Sequence, residues 1–221
     1  MFIATTTASG TSSTRTASRS PDRQGNERDW ARRRPTLDAV PDLVLLNGPP
    51  ASGKSTLAVR LIESRPLALD LDIDVIRGLL GGWLDDPTAA GLAARALALE
   101  MARTHLLAGH DVFVPQFLGR VEFVEQLAAL AADVGARFVE IALVLDRAEA
   151  IEAFQRRRSA PEEQTHLDAA ALVDRSDGTD PVGELYDRYA ELLESRSHVH
   201  RVPVRHGDID ATVAVIEALL S

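Results

Sequence analysis

Residues 48–56 read Gly48-Pro49-Pro50-Ala51-Ser52-Gly53-Lys54-Ser55-Thr56, and Lys54 is the only lysine in the chain, the other 23 basic side chains being arginine. The pattern G-x-x-x-x-G-K-[ST] constrains the fold because it works only as a tight loop between a buried strand and a helix. The flanks supply both. Leu43-Val44-Leu45-Leu46 is an apolar run before the loop, and Thr56-Leu57-Ala58-Val59-Arg60-Leu61-Ile62 has helical apolar spacing after it. Each part of the motif has a task on a nucleotide. Gly48 opens the turn, and backbone N–H groups from Ala51, Ser52, Gly53, Lys54, Ser55 and Thr56 face the phosphates. Gly53 permits close approach, the Lys54 ammonium reaches the β- and γ-phosphates, and the Ser55 hydroxyl is a hard oxygen ligand for Mg²⁺. Both prolines precede the N–H groups that bind, so their missing donors cost nothing. The motif with its flanks predicts a nucleoside-triphosphate site.

At 221 residues and 45% hydrophobic content the chain can bury one substantial core. The absence of cysteine excludes disulfides, zinc thiolates and thiol nucleophiles. No apolar run approaches a membrane span. Residues 1–40 are rich in Ser, Thr and Arg and hold seven arginines against four acids, a net of +3. Against a chain total of −9, that leaves about −12 for residues 41–221. The basic segment lacks the apolar core of a secretory signal, and it only loosely resembles an organelle transit peptide. It is expected to be a disordered leader or the product of an upstream start codon. The acidic body disfavours nucleic acid as a partner. Ala- and Arg-rich, Lys-poor usage suits a high-GC bacterial genome and a cytoplasmic protein, either monomer or homodimer.

From Pro41 onwards strand-like and helix-like segments alternate. Strands are expected at 42–47, 67–71, 111–114, 138–145 and 198–204, the last at an edge because Pro203 cannot donate to a ladder. Helices are expected at 53–64, 74–81, 88–107, 119–134, 147–158, 161–174, 181–195 and 208–220. This order predicts an α/β fold of the P-loop NTPase type: a five-stranded parallel sheet covered by helices on both faces, with a small helical lid at about 147–180. Ligands then sit beyond the carboxyl ends of the strands.

One such end carries Asp70-Leu71-Asp72-Ile73-Asp74. In an extended chain the three carboxylates alternate onto one side, facing the phosphate loop. Gathered carboxylates need a cation or a hydroxyl partner. Alternatively, Asp72 or Asp74 caps the following helix.

With the loop, Leu71-Asp72-Ile73-Asp74-Val75-Ile76-Arg77-Gly78-Leu79 resembles the corresponding segment of adenylylsulfate kinases, and shikimate kinases carry a similar D-x-D. Over about residues 42–158 the chain resembles small-molecule P-loop kinases of the nucleoside-monophosphate-kinase-like group, in the style of gluconate kinase, chloramphenicol phosphotransferase and the zeta toxins. The resemblance implies ATP and Mg²⁺ as cofactors and a small-molecule hydroxyl as acceptor. It implies that Asp72 helps hold the metal through water, that Asp74 orients or deprotonates the acceptor hydroxyl, and that Arg77 binds an anionic part of the substrate. Kinases of this type also carry arginines on a lid. Here Gln155-Arg156-Arg157-Arg158 would supply Arg156 to the transferring phosphoryl group and Arg158 to the nucleotide, although the sequence does not fix which arginines turn inward. They would equally suit a helix C-terminus complementing its dipole.

Strand three departs from many P-loop ATPases by ending in Pro115-Gln116 rather than an acid, which disfavours a water-activating ATPase and leaves the metal to Ser55 and Asp72. Gln116 and Arg120 are expected on the substrate side, Arg120 alternatively as a solvated arginine at a helix start. His166 either reaches a substrate or lies plainly at the surface, and Trp83 either covers the acceptor or simply packs. A GTPase needs a second lysine for its guanine motif, which this chain lacks. An oligomeric mechanoenzyme would want acids ending strand three and a helical second domain. The competing reading is a nucleotide-binding regulatory ATPase without an acceptor; a toxin-type kinase acting on a sugar nucleotide is a variant of the kinase reading.

Overall fold

The computed structural model describes residues 40–161, 163–175, 179–205 and 207–221. Residues 1–39 of the expected leader, and parts of the expected lid region, lie outside the described residues.

The apolar run before the phosphate loop forms β1 (Asp42–Asn47), buried along its whole length. It lies at the centre of a five-stranded sheet with β2 (Leu69–Asp70), β3 (Val112–Gln116), β4 (Arg137–Val144) and β5 (His200–Pro203). The order is β2-β3-β1-β4-β5 and every pairing is parallel. β1 meets β3 with Asn47 opposite Gln116, and β4 with Asn47 opposite Ala142. β2 and β5 are the edges, and Pro203 ends the edge strand as its missing donor requires.

Alternation along β1 splits the core into two layers. Leu43 and Leu45 join Val112 and Val114 of β3 on one face. That face is covered by α3 (Pro87–Leu107), through Ala94, Ala98 and Ala102, and by α4 (Glu122–Val134), through Leu127 and Leu130. The four-residue spacing of α3's alanines lets the helix backbone approach the sheet closely. Val44 and Leu46 face the other way with Phe113, Ile141 and Leu143. There they meet Leu57, Ala58 and Leu61 of α1 (Lys54–Ile62) and Ile216 and Leu220 of α8 (Ile209–Leu220). Both faces of the sheet are thus covered, as its all-parallel wiring requires.

The remaining helices stand near the carboxyl ends of the strands: α2 (Ile73–Gly78), α5 (Arg147–Ser159), α6 (Gln164–Asp174) and α7 (Pro181–Glu194). Asp146 and Asp180 cap α5 and α7, accepting from the Ala148 and Gly183 amides at 2.8 and 3.1 Å. Arg147 bonds both Asp180 and Asp187, at 2.8 and 2.9 Å, fixing the start of α5 to α7.

Two expectations are corrected. Strand two was expected over 67–71, but β2 is only two residues long because it is an edge strand paired to β3 alone. The helix expected from 119 starts at Glu122, so Arg120 lies in the connecting loop.

Candidate active site

The phosphate loop joins β1 to α1. Gly53 precedes the helix at φ 86°, a left-handed conformation that glycine adopts without strain. No side chain caps α1, and the amides of Lys54, Ser55 and Thr56, its first three residues, have no intrahelical acceptor. Such an uncapped amino end suits an anion. A methyl group on Gly48 would stand 2.6 Å from Ser52 Oγ and 3.1 Å from Leu143 Cβ, so only glycine fits the first position of the turn. One expected donor is turned inward: the Ser52 amide donates to the Pro49 carbonyl at 3.2 Å.

Lys54 lies across the loop, its ammonium donating to the Gly48 and Pro49 carbonyls at 3.0 and 2.9 Å. Burial, with the Arg157 charge adding to it, lowers the Lys54 pKa to about 7 despite the opposing pull of Asp74 and Asp72. A polyphosphate beside it would restore the ammonium form.

The acidic segment does not stay extended. β2 ends at Asp70 and α2 begins at Ile73, so the three carboxylates do not alternate along one strand. Asp72 is the N-cap of α2, its Oδ1 accepting from the Asp74 amide at 2.8 Å, while its Oδ2 accepts from the Ser55 hydroxyl at 3.3 Å. Capping and contact with the phosphate loop are therefore served by one carboxylate. Burial and then the neighbouring Asp74 charge raise the Asp72 pKa, opposed by two backbone N–H groups and the Ser55 hydroxyl. Asp70, with one buried carboxylate oxygen unpartnered among the described residues, is raised to about 6 by burial, then by Asp72 and Glu163.

Asp74 accepts from Arg77 at 2.7 Å, and the Arg77 guanidinium stacks on Trp83 at 4.8 Å. Trp83 therefore holds an arginine of the site.

Two cavities flank the loop. One, about 470 Å³, is lined by the loop, by Ala153 and Arg156 of α5, and by Val204, Gly207 and Thr212. The other, about 340 Å³, is lined by Asp72, Asp74, Arg77, Gln116 and parts of α5, α6 and α7. Lys54, Ser55, Arg157 and His166 line both. His166, for which the sequence left a surface or a substrate-side place open, thus stands on their common wall.

The lid arginines sort differently from expectation. Arg156 lines the larger cavity and lies 3.6 Å from Glu152. Arg158 lines neither, because it pairs with Asp174 of α6 at 2.8 Å. The neighbour that turns inward is Arg157, seated over the Phe154 ring at 5.5 Å. Gln116 lines the smaller cavity and is 8% exposed, with its Oε1 unpartnered among the described residues. Arg120 is exposed and lines neither cavity.

The donors at the Ser55–Asp72 contact, a hydroxyl and a carboxylate, are the hard oxygens that Mg²⁺ takes alongside phosphate oxygens and water. Among the described residues no group of three or more His, Asp or Glu side chains could hold a metal alone. The residues present therefore fit an ion shared with a nucleotide.

Sequence reasoning missed Tyr189, Arg95 and Arg188. The Tyr189 hydroxyl contacts the Asn47 and Leu143 carbonyls at 3.3 and 3.0 Å, bracing α7 against the carboxyl ends of β1 and β4. Arg95 and Arg188 line the smaller cavity from α3 and α7. Only the folded chain brings them together, and no local pattern marks them.

Comparison with known proteins follows the fold. The family model described as AAA domain matches residues 43–181. No curated protein matches the chain. Among solved structures, a candidate kinase from Chloroflexus aurantiacus is similar at 19% identity, covering 83% of this chain and 100% of its own, with a TM-score of 0.60. The Mycobacterium tuberculosis APS kinase CysC, in complex with AMPPNP and APS, gives 18%, 82%, 99% and 0.52. Chaetomium thermophilum Kti12, in complex with ADP-AlF3, gives 17%, 80%, 96% and 0.56. At these identities the likeness is one of fold, and the fold is that of the P-loop kinases. No helix among the described residues is long and apolar enough to cross a membrane.

Proposed function

Because the chain belongs to the AAA domain family, with a nucleotide-binding loop at the heart of a P-loop kinase fold, we propose that it transfers the γ-phosphoryl group of ATP to a hydroxyl of a small molecule. The observation that carries this reading is the wall shared by the two cavities. Lys54, Ser55, Arg157 and His166 line both, so a nucleotide in the larger one and an acceptor in the smaller one would meet at that wall. A site that only bound nucleotide would not need the second cavity.

Each residue then has a task. The uncapped amino end of α1 and the Lys54 ammonium bind the phosphates. Ser55 and Asp72 would hold Mg²⁺, which when bound neutralises phosphate charge and orients the terminal phosphate. Asp74 accepts the proton of the acceptor hydroxyl, and its bond to Arg77 fixes the carboxylate's direction. Arg157, with Arg156 on the nucleotide side, stabilises charge on the transferring group; Phe154 beneath the Arg157 guanidinium keeps it aimed. Catalysis of this kind rests mainly on position and charge, which suits a site built from one loop, one carboxylate pair and a few cations.

One observation favours a second reading, a nucleotide-binding regulator. The 2.7 Å bond to Arg77 already occupies one Asp74 oxygen. Turnover separates the two. ADP release from ATP·Mg²⁺ is measured over a panel of hydroxyl metabolites, with Asp74→Asn as the blank. Release with at least one compound, lost in the blank, supports the transferase. ATP binding without release above the blank supports the regulator.

A further inference from the structure

The smaller cavity is lined by arginines as well as by the carboxylates Asp72, Asp74 and Glu184. Arg77 already donates to Asp74 through Nη1 and stacks on Trp83, its Nε remaining buried and unpartnered among the described residues, and Arg157 faces the nucleotide side as well. Arg95 and Arg188 differ. Among the described residues Arg95 makes no ion pair and lies over the Phe123 ring at 5.6 Å, and Arg188 makes none and donates only to the Glu184 backbone carbonyl at 3.2 Å. The chain carries 33 acids against 24 bases, and several arginines elsewhere find carboxylates: Arg60, Arg65, Arg103, Arg137 and Arg196 are all paired. Two arginines without an ion pair in one cavity leave positive charge there for a ligand to neutralise. Arginine suits this task because its fork matches carboxylate and phosphate oxygens.

Gln116 adds a second, independent constraint. Its Oε1 is buried, unpartnered among the described residues and on the same cavity. Such an oxygen needs a donor, since leaving it unsatisfied is costly. Phe117, Leu172 and Leu185 line the same cavity and accommodate a short hydrocarbon stem. The volume, about 340 Å³, is that of a small-molecule site.

We propose that this cavity binds a small anionic hydroxy compound, its carboxylate or phosphate held by Arg95 and Arg188 and a donor group held by Gln116 Oε1. The anion site is thus carried by Arg95 and Arg188, while Arg77 is engaged by Asp74. The inference rests on the acceptor reading of this cavity.

The test first fills the nucleotide cavity with AMPPNP·Mg²⁺, so that the phosphate loop cannot compete for the probe. Glycerate, glycerol 3-phosphate and neutral glycerol are then titrated by calorimetry. At least one anion should bind ten- to a hundredfold more tightly than glycerol, the worth of charge-assisted bonds to one or two guanidinium groups, given roughly. The carboxylate and phosphate arms identify which oxyanion the site takes. Arg95→Gln/Arg188→Gln should erase the preference, while the charge-matched Arg60→Gln/Arg103→Gln keeps it; melting curves of both variants establish that they are folded. Equal binding of glycerol and both anions overturns the inference. So does an unchanged preference in the Arg95/Arg188 variant, or, if that variant does not fold, in the single Arg188→Gln variant. Failure of the acceptor reading looks different: anion binding that depends on Arg95 and Arg188 would persist, with no ADP released from any hydroxyl compound.

Discussion

The Ser55 hydroxyl donates to Asp72 Oδ2 across 3.3 Å, tying the phosphate loop to the N-cap of α2. Asp72 thereby serves a helix and a candidate metal site with different oxygens, and the two tasks can be separated. Asn caps as well as Asp, whereas Ala costs about 1 kcal/mol. Asp72→Asn should keep the wild-type melting temperature but raise the Mg²⁺ concentration needed for half-maximal rate. Asp72→Ala should do both kinds of damage. A Mg²⁺ titration unchanged in Asp72→Asn returns the residue to capping alone.

Asp74→Asn tests the acceptor side. Loss of a positioned base lowers kcat by roughly 100- to 10,000-fold, with the KM for ATP little altered. A comparable change in ATP affinity would move Asp74 to the nucleotide side.

For Lys54 the sign of a pH effect can be worked out. Its pKa in the free protein is lowered to about 7. Bound phosphate favours the ammonium, so binding takes up a proton above that pH. ATP affinity should therefore be flat below pH 7 and fall by up to about tenfold per unit above it. Calorimetry between pH 7.5 and 9 reads this directly. Lys54→Arg stays charged and should show no such fall, yet it should not restore transfer, and Lys54→Ala should abolish transfer in a folded protein. A flat wild-type profile refutes the assignment.

The arginine triplet gives a paired prediction. Arg157→Ala should lower kcat by roughly ten- to a hundredfold, the worth of a charge-assisted hydrogen bond. Arg158→Ala removes an exposed pair with Asp174, worth at most about 1 kcal/mol of stability, and should leave turnover alone. Steady-state rates of the two variants decide between them; the reverse order of effects would put Arg158 back on the nucleotide.

What the sequence reveals is what local chemistry decides. The phosphate loop, β1 and α3 follow from a motif and from apolar spacing, and their bounds agree with the structure within a residue or so. Asp72 was legible as either cap or ligand because both uses need only a carboxylate before a helix. The strand order β2-β3-β1-β4-β5 was not legible, since it depends on which helices cross which face. Nor was the choice among Arg156, Arg157 and Arg158. Three consecutive helical positions point in three directions, and Asp174, sixteen residues beyond Arg158, claims one of them. Arg95 and Arg188 are far apart in sequence, on α3 and α7, so only folding brings both to one cavity.

The four residues on the common wall also have a kinetic consequence. Because Lys54, Ser55, Arg157 and His166 face both cavities, filling one changes the charge and freedom that the other ligand meets. On the transferase reading, binding of nucleotide and acceptor would therefore be thermodynamically linked, and the linkage reciprocal: whatever factor one ligand imposes on the dissociation constant of the other is returned unchanged. In a grid of initial rates this coupling takes the form of lines that cross away from the ordinate, with the height of the crossing set by the sign of the cooperativity.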